Sequence, residues 1–283
     1  MHSMETALFD SALSLYAVST ALALAYVFSR NEALTAWMWR LLGIGLAAHL
    51  LSFLGRTAQF WRFPENRFFL PIDSFFGALS CLAFSNALVF WVIEGVSRLN
   101  VLGAFVLPWT FLAAGAAWLW ADPAVGALQP ALRSYWLNIH PLVLMVSYTI
   151  FANGFGVGLA LLIQERQIKS RRPTELCYRL PAIEDLDGLH SRVIAAAFAV
   201  LSAGMLLGSL WYRHEHGRFW SLDAKFLMSL LSWSLYGATL VQRARGLRGR
   251  RTVFLSMLAF ASLLLTFFAG NYFSAKHGFL SGD

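Results

Sequence analysis

The sequence predicts an all-α fold, a polytopic transmembrane helix bundle with about eight spans. Of the 283 residues, 58% are hydrophobic and only 13% are charged. A soluble domain carries about 25% charged residues, so this composition is typical of a membrane protein. The charged residues are also grouped between long apolar runs, as expected when those runs lie in lipid. We therefore interpret residues 1–283 as a single transmembrane domain.

Eight apolar runs are long enough to cross a bilayer, which requires about 20 residues in a helix. In chain order they are Phe9–Phe28, Ala36–Leu54, Ile72–Ile93, Leu99–Trp120, Ile139–Ile163, Val193–Trp211, Phe226–Val241 and Val253–Tyr272. Pro141 is expected in the first turn of the fifth span, because proline fits that position. Asp187 or Gly188 is a candidate N-cap for the sixth span.

Two basic loops predict the orientation of the chain. The segment 164–192 carries six lysine or arginine residues and the segment 242–251 carries five. Short basic loops stay on the cytoplasmic side of a membrane, so both are predicted to be cytoplasmic. With eight spans, both chain termini and the loop 212–225 are then extracytoplasmic.

Several function classes are disfavoured by the composition. The net charge of +7 comes from these loops rather than from a basic surface, so nucleic-acid binding is not expected. Cys81 and Cys177 form no CxxC or CxxCH motif, which argues against a disulfide framework and an iron–sulfur cluster. A small-molecule transporter is disfavoured because the spans lack paired Gly/Pro interruptions in corresponding halves.

Three histidines are candidates for binding. His49 lies well inside the second span, where a polar ring is a functional hypothesis, although a helix-to-helix hydrogen bond is an equal alternative. His140 opens the fifth span and His277 follows the last one, so both are expected at the outer interface. Two histidines from separate helices are able to supply both axial ligands of a haem iron.

The other histidines are less distinctive. His214 and His216 are expected to be solvated loop residues, because no zinc-ligand partner accompanies them. His190 is expected to be a capping or interfacial residue at the cytoplasmic entrance of the sixth span. In the nearby loop, Trp220 is suited to stack on a porphyrin and Arg218 to pair with a propionate. The alternative is an ordinary aromatic belt with snorkelling bases.

Three segments of the chain are the most distinctive: PALRSYWLNIH (Pro130–His140), GRFWSLD (Gly217–Asp223) and RGLRGRRTVFLSMLAF (Arg245–Phe260). Weaker ones are GLAAHLLSFLGR (Gly45–Arg56), IDSFFGALS (Ile72–Ser80) and NYFSAKHGF (Asn271–Phe279). Through them, nearly the whole chain resembles the cytochrome c assembly family of haem-handling membrane proteins, which includes CcsA (also called ResC).

The resemblance implies haem b as a transiently bound cofactor. It implies that His140 and His277 are the axial ligands of the iron, beside a tryptophan-rich extracytoplasmic "WWD" loop at 212–225. Residues expected to line that site are Trp136, His216, Arg218, Trp220 and Asp223. His49 matches a histidine of a transmembrane haem site through which haem is thought to reach the outer face. A ResB-like membrane partner, apocytochrome c and a bacterial inner-membrane location are implied as well.

The chain departs from the family pattern at several positions. In the loop, the first tryptophan is replaced by His216, the third by Leu222 and the proline by Ala224, with Phe226 in place of the glutamate. The expected partner of His49 at the end of the seventh span is Val241. These changes leave two readings open. One is a haem-binding membrane subunit of cytochrome c maturation, which would act as a component of a cytochrome c synthase complex. The other is a divergent paralogue of the HemX or YpjD type, which acts as a regulator or structural subunit of another membrane complex.

Overall fold

The computed structural model describes residues 4–29, 31–128, 133, 135–170, 174–175 and 177–273. Within these ranges the chain contains no strand and has eight α-helices: α1 (Met4–Ser29), α2 (Glu32–Phe60), α3 (Phe75–Ser97), α4 (Gly103–Trp120), α5 (Tyr135–Lys169), α6 (Ile183–His216), α7 (Ala224–Ala244) and α8 (Arg250–Phe273). All eight are long and apolar enough to cross a membrane. The predicted fold class and number of spans are confirmed.

Most helices are longer than the apolar runs that predicted them, and α6 differs most. It begins at Ile183, with Ala182 as its N-cap, so the expected cap at Asp187 or Gly188 was wrong. Acidic side chains in the first turn of α6 interact favourably with the positive end of the helix dipole, which explains why the helix includes polar residues. Between α5 and α6 only residues 170–182 lie outside the helices, fewer than the predicted loop 164–192.

The predicted loop 212–225 is also shorter in the structure. Helix α6 continues to His216 and ends at Gly217, whose φ of 70° is the left-handed conformation that favours glycine at a helix C-terminus. Helix α7 then starts at Ala224, after Asp223 as N-cap. His214 and His216 therefore lie in the last turn of α6, where a loop was expected.

Helix α5 begins before the apolar run that predicted it. Because it starts at Tyr135, Pro141 lies inside the helix rather than in its first turn. Proline is tolerated inside transmembrane helices, where neighbouring groups satisfy the freed backbone carbonyl. His140 correspondingly lies in the second turn of α5 instead of at its start.

The described residues form two compact units: the first contains α1 to α4 and residues 166–181, which include the last turn of α5, and the second contains the rest of α5 with α6, α7 and α8. In the first unit, α1 packs against α2 and α4, and α3 packs against the same two helices. The single domain over 1–283 predicted from the sequence stays a prediction. So do the membrane orientation and the extracytoplasmic position of both termini.

Two side chains of the first unit hold the segment that follows α4. The guanidinium of Arg56 donates to the carbonyl oxygen of Pro123 at 2.7 Å. The amide of Asn66 donates to the carbonyl oxygen of Gly126 at 2.8 Å and accepts from the backbone N–H of Leu128 at 2.7 Å. Because Arg56 and Asn66 are both buried, these bonds fix the path of residues 123–128.

In the second unit, α5 and α6 pack antiparallel, with contacts between residues 140–158 of α5 and 190–208 of α6. The ring of His140 contacts α6 at Gly208, Ser147 donates to the carbonyl oxygen of Ala197, and Gly154 faces Ile194. Residues later in α5 contact residues earlier in α6, as expected for antiparallel helices. All four helices of the unit contribute to its core, whose buried members are Phe151, Ile194, Ala197, Leu201, Tyr236, Ala259, Phe260 and Leu263.

Candidate functional site

His140 is held by α6 through one of its two ring nitrogens. Its Nδ1 atom lies 2.8 Å from the backbone carbonyl oxygen of Gly204. A carbonyl oxygen only accepts, so the neutral ring carries its proton on Nδ1 and presents a lone pair on Nε2. Within the described part of the chain, Nε2 has no hydrogen-bond partner. His140 thus has one nitrogen fixed by the protein and one available as a ligand.

This geometry fits a metal-binding imidazole. Histidines that ligate metals usually donate their second ring N–H to a carboxylate or a backbone carbonyl, which fixes the tautomer and the ring orientation. Imidazole is a standard axial ligand of haem iron. The donor that His140 presents therefore suits one axial position of a haem.

Two of the predicted site residues, Trp136 and Asp223, lie near the starts of α5 and α7. Trp136 is half-buried and precedes His140 by four residues on α5, so the two side chains share one helix face. At the start of α7, Lys225 interacts electrostatically with His140 and with Asp223. Asp223 accepts a hydrogen bond from the backbone N–H of Phe226 at 2.8 Å, so one oxygen of its carboxylate caps α7.

The residues between α6 and α7 present an aromatic surface. Trp220 is 59% exposed, and its ring stacks on Phe226 with 6.5 Å between ring centroids. Phe219 lies beside Trp220, and the guanidinium of Arg213 lies 4.6 Å from the centroid of the Phe219 ring. Arg218 is exposed. The indole of Trp220 and the guanidinium of Arg218 are therefore both accessible, the first to stack on a porphyrin and the second to pair with a propionate.

Two of the departures from the family pattern are visible in this region. His216, in the position of the first loop tryptophan, stacks on Tyr212 with 4.3 Å between centroids and 12° between planes. Leu222, in the position of the third, is 81% exposed. The aromatic rings of this region are consequently those of Trp220, Phe219 and the stacked pair Tyr212 and His216, rather than three indoles.

His277, the second predicted axial ligand, lies outside the described residues. Its distance from His140 is therefore not part of the described structure, and the pairing of the two rings stays a prediction.

His49 belongs to the first unit and is fully buried there. Its Nδ1 atom lies 3.1 Å from the Tyr16 hydroxyl, and its Nε2 atom lies 2.8 Å from the Ser80 hydroxyl. Phe9 and Phe84 contact the ring edge to face, with centroid separations of 5.3 and 5.6 Å. The ring thus joins α1, α2 and α3 in the centre of the unit.

Both nitrogens of His49 are engaged, so it presents no ligand atom in this arrangement. Iron binding at His49 would require Tyr16 or Ser80 to give up its hydrogen bond. The part of His49 in a transmembrane haem site therefore stays a prediction. Val241, which stands where the family has the partner histidine, is 50% exposed on α7 and carries no donor atom.

The sequence analysis missed a buried polar cluster in the second unit. His190 is completely buried, and its Nε2 atom lies 3.1 Å from the Ser256 hydroxyl, so its expected place as an interfacial cap was wrong. Nearby, Arg243 forms an ion pair of 2.7 Å with Asp187 and donates to the Ser191 hydroxyl at 2.9 Å. The sequence did contain a signal for this ion pair: an acidic residue, Asp187, lies near the start of the sixth span, and a basic residue, Arg243, lies near the end of the seventh.

A second missed feature is the glycine pair Gly204 and Gly208 on α6. Their spacing is the GxxxG pattern, which lets a neighbouring transmembrane helix approach closely. A Cβ atom at Gly208 would lie 2.5 Å from Cε1 of His140, and one at Gly204 would lie 2.6 Å from Cδ2 of Leu144. Two α5 side chains one turn apart thus fill the space that the missing Cβ atoms leave.

The fold defines a multi-pass, all-helical membrane protein, and in its second unit the ring of His140 is fixed by a hydrogen bond to α6. The chain belongs to the cytochrome c assembly protein family, whose match covers residues 73–276. That match begins just before α3, so α1 and α2, with His49, lie outside it.

Curated relatives resemble the chain over most of its length. The cytochrome c biogenesis protein CcsA of Gloeobacter violaceus is 26% identical, with 86% of this chain and 88% of the relative covered. The CcsA protein of Parasynechococcus marenigrum is 28% identical, with coverage of 89% and 88%.

A solved structure shares the fold. It is the cytochrome c haem lyase CcmF, with a TM-score of 0.76 and 18% sequence identity. The match covers 99% of this chain but 51% of CcmF, so the chain spans about half the length of that protein. At this identity the similarity concerns the fold alone.

Proposed function

We propose that this protein is a haem-handling membrane subunit of cytochrome c maturation that presents haem b to apocytochrome c on the extracytoplasmic face. The observation that carries the proposal is the hydrogen bond from His140 to the Gly204 carbonyl, which leaves Nε2 available as an iron ligand. Membership of the cytochrome c assembly family and the similarity to CcsA proteins support the same role.

Each residue of the proposed site has a distinct task. His140 binds one axial position of the iron, and His277 is assigned the other. Trp220 covers a porphyrin face, while Arg218 and Lys225 neutralise propionates. Haem supplies the vinyl groups to which the two cysteine thiols of apocytochrome c add. The protein itself contributes binding, orientation and exclusion of water, as proteins do for cofactors.

Partners and location follow from the same assignment. A ResB-like membrane partner with a large extracytoplasmic domain is proposed to act with this chain. Apocytochrome c is proposed as the acceptor of haem, and the bacterial inner membrane as the location.

In this proposal haem does not cross the first unit through His49. We assign His49 a structural part, because both of its nitrogens bond to hydroxyls within the unit. Haem would then reach His140 from a partner or from the outer leaflet.

The second candidate function is a divergent paralogue without synthase activity, of the HemX or YpjD type. The engaged nitrogens of His49 and the exposed Leu222 in the place of an indole favour it, as does Val241. Such a protein would regulate haem synthesis or stabilise another membrane complex, and it could retain haem binding at His140 without transferring haem.

Haem binding is tested by absorption spectroscopy of the protein purified from haem-replete membranes. We expect a bis-histidine Soret band, which is lost or shifted in His140→Ala and in His277→Ala. His214→Ala is the matched control, because this exposed histidine lies at the end of α6 and makes only a 3.5 Å contact with Glu215. Unchanged haem occupancy in the double variant His140→Ala/His277→Ala would refute the site.

A complementation assay separates the two functions. The gene is expressed in a strain that lacks its own cytochrome c assembly protein, with and without a ResB-like partner, and covalent haem in cytochrome c is measured. Restored cytochrome c supports the maturation subunit. Haem binding at His140 with no restored cytochrome c supports the non-synthase paralogue.

A further inference from the structure

The ring of His140 rests directly on the backbone of α6. A Cβ atom at Gly208 would lie 2.5 Å from Cε1, 3.0 Å from Nδ1 and 3.1 Å from Nε2 of the imidazole. Real Cβ atoms do not approach other atoms as closely as 2.5 Å, and the obstacle is a ring held at its other edge. Any side chain at position 208 would therefore move the ring.

The same surface of α6 supplies the acceptor for the ring. Gly204 lies one turn before Gly208, and its carbonyl oxygen is 2.8 Å from Nδ1 of His140. The ring reaches this oxygen only because it lies close to the helix axis, where no Cβ at Gly208 stands in the way. The two glycines thus have separate tasks: Gly208 leaves space for the ring, and Gly204 supplies the carbonyl acceptor.

The register of α5 against α6 holds the His140 ring over Gly208. Leu144 packs over Gly204, one turn along α5 from His140. Further along, Ser147 donates to the carbonyl oxygen of Ala197 at 2.9 Å. A shift of α5 by one residue would break this bond and turn His140 away from Gly208.

We propose that Gly204 and Gly208 form an imidazole seat that positions His140 and fixes its Nδ1–H tautomer, so that Nε2 alone is presented to the haem iron. The inference rests on the proposed function, and it names two positioning residues on α6 that do not themselves touch haem. Without the seat, the neutral ring would be free to protonate either nitrogen and to rotate about its side-chain bonds.

The tautomer is tested first in the protein without haem. Protein labelled with ¹⁵N-histidine is examined by NMR in detergent micelles, and the His140 signals are identified by their loss in His140→Gln. We expect Nδ1 to be protonated and Nε2 to be unprotonated at neutral pH. A dominant Nε2–H tautomer in the wild-type protein would overturn the seat, whatever haem does.

The space is tested with Gly208→Ala. We expect haem affinity to fall by about tenfold or more, as for the loss of other groups that orient a metal ligand, and the Soret band to shift. Gly237→Ala is the matched control, since a Cβ there meets only Phe198 at 3.6 Å, an ordinary contact. Wild-type affinity and spectrum in Gly208→Ala would overturn the seat.

The hydrogen bond is tested without any change to α6, in case Gly208→Ala fails to fold. In His140→Gly, the missing ring is replaced by added 4-methylimidazole or 1-methylimidazole. The two have the same volume, but only the first retains an N–H for the Gly204 carbonyl. We expect 4-methylimidazole to restore the Soret band at a concentration about fivefold lower, as one hydrogen bond allows. Equal rescue by both would overturn the proposed role of Gly204.

These outcomes are distinct from a failure of the proposed function. If His140→Ala retains haem, the axial assignment fails. A second outcome is that His140→Ala loses haem, Gly208→Ala binds haem like the wild type, and the two methylimidazoles rescue His140→Gly equally well. The axial assignment then stands and the seat fails.

Discussion

His49 on α2 and Ser80 on α3 are joined by a hydrogen bond of 2.8 Å at a place where the imidazole has no solvent exposure. Hydrogen bonds between transmembrane helices contribute about 1 kcal/mol. A hydroxyl removed from such a pair leaves a buried nitrogen without its partner. The pair therefore stabilises the contact between α2 and α3.

Ser80→Ala is expected to lower the free energy of unfolding by about 1 kcal/mol and to leave haem occupancy unchanged. The measurement is denaturation in mixed micelles followed by circular dichroism, with the Soret band recorded on the same samples. Ser11→Ala serves as control, because its exposed hydroxyl bonds to the carbonyl oxygen of its own helix at Ala7. Loss of haem in Ser80→Ala at unchanged stability would instead connect His49 to a haem site.

Arg56→Ala is expected to destabilise the first unit by about 3 kcal/mol, as found when one member of a buried ion pair is removed. Its guanidinium lies 3.7 Å from the Glu5 carboxylate, and both side chains are almost fully buried. The change also removes the donor to the Pro123 carbonyl oxygen. Unfolding in micelles measures the loss, and the exposed Arg62→Ala is the control. Equal stability of the two variants would contradict the proposed importance of Arg56.

Arg243→Ala is expected to destabilise the second unit by about 3 kcal/mol. It breaks the buried 2.7 Å ion pair with Asp187 and the bond to the Ser191 hydroxyl, which together tie α7 to α6. Thermal unfolding followed by circular dichroism measures the effect. The control is Arg245→Ala, which removes the charge of the exposed C-cap residue of α7 and should unfold like the wild type. If both variants unfold alike, the ion pair contributes little.

Asp223 allows the helix cap to be separated from the negative charge. Asp223→Ala removes the acceptor for the Phe226 N–H and should cost about 1 kcal/mol, whereas Asn caps a helix as well as Asp does. We expect Asp223→Asn to retain wild-type stability. Haem titration of the same two variants measures the effect of the negative charge on haem affinity. Weaker binding in Asp223→Asn than in the wild type assigns the carboxylate to the haem site. Binding equal to that of the wild type leaves Asp223 only its role as a helix cap.

The carboxyl group of Asp73, in the segment before α3, predicts a pH dependence. Burial raises its pKa above the ordinary value of 3.8, an effect opposed by backbone hydrogen bonds and by Arg56. The folded protein therefore holds this proton more tightly than the unfolded chain. The resulting stabilisation is complete below the ordinary pKa and is lost as the pH rises through the raised value.

Asp73→Asn should remove this contribution. The free energy of unfolding of the wild type, relative to Asp73→Asn, should fall as the pH is raised from the ordinary pKa of 3.8 towards neutrality. Parallel curves for the two proteins over that range would contradict the raised pKa. Asp10→Asn, an acidic residue on α1, provides the comparison.

The sequence was sufficient for the class of fold because lipid imposes a simple rule, about 20 apolar residues for each helix. It was less reliable for the ends of helices. Backbone hydrogen bonds continue through polar residues, so α6 starts ten residues before its apolar run and includes His214 and His216. The stop at Gly217 had a visible signal, since glycine favours the left-handed conformation that ends many helices.

For the candidate site, the sequence identified candidate histidines but not the hydrogen bonds that their ring nitrogens make. His140 and His49 are both histidines in apolar helices, and hydropathy alone does not distinguish them. In the structure one has a nitrogen to offer and the other has both nitrogens engaged. The partners that make this difference lie on other helices, where no local pattern marks them.

The sequence by itself determined that this chain is a multi-pass membrane protein, that it resembles the cytochrome c assembly family, and which histidines are candidate ligands. Only the tertiary structure decided that Nδ1 of His140 bonds to the Gly204 carbonyl, 64 residues away, and that Gly208 of α6 lies against the ring. The physical reason is that composition controls whether a helix enters lipid, whereas the proton position on an imidazole depends on one acceptor brought within 3 Å by helix packing.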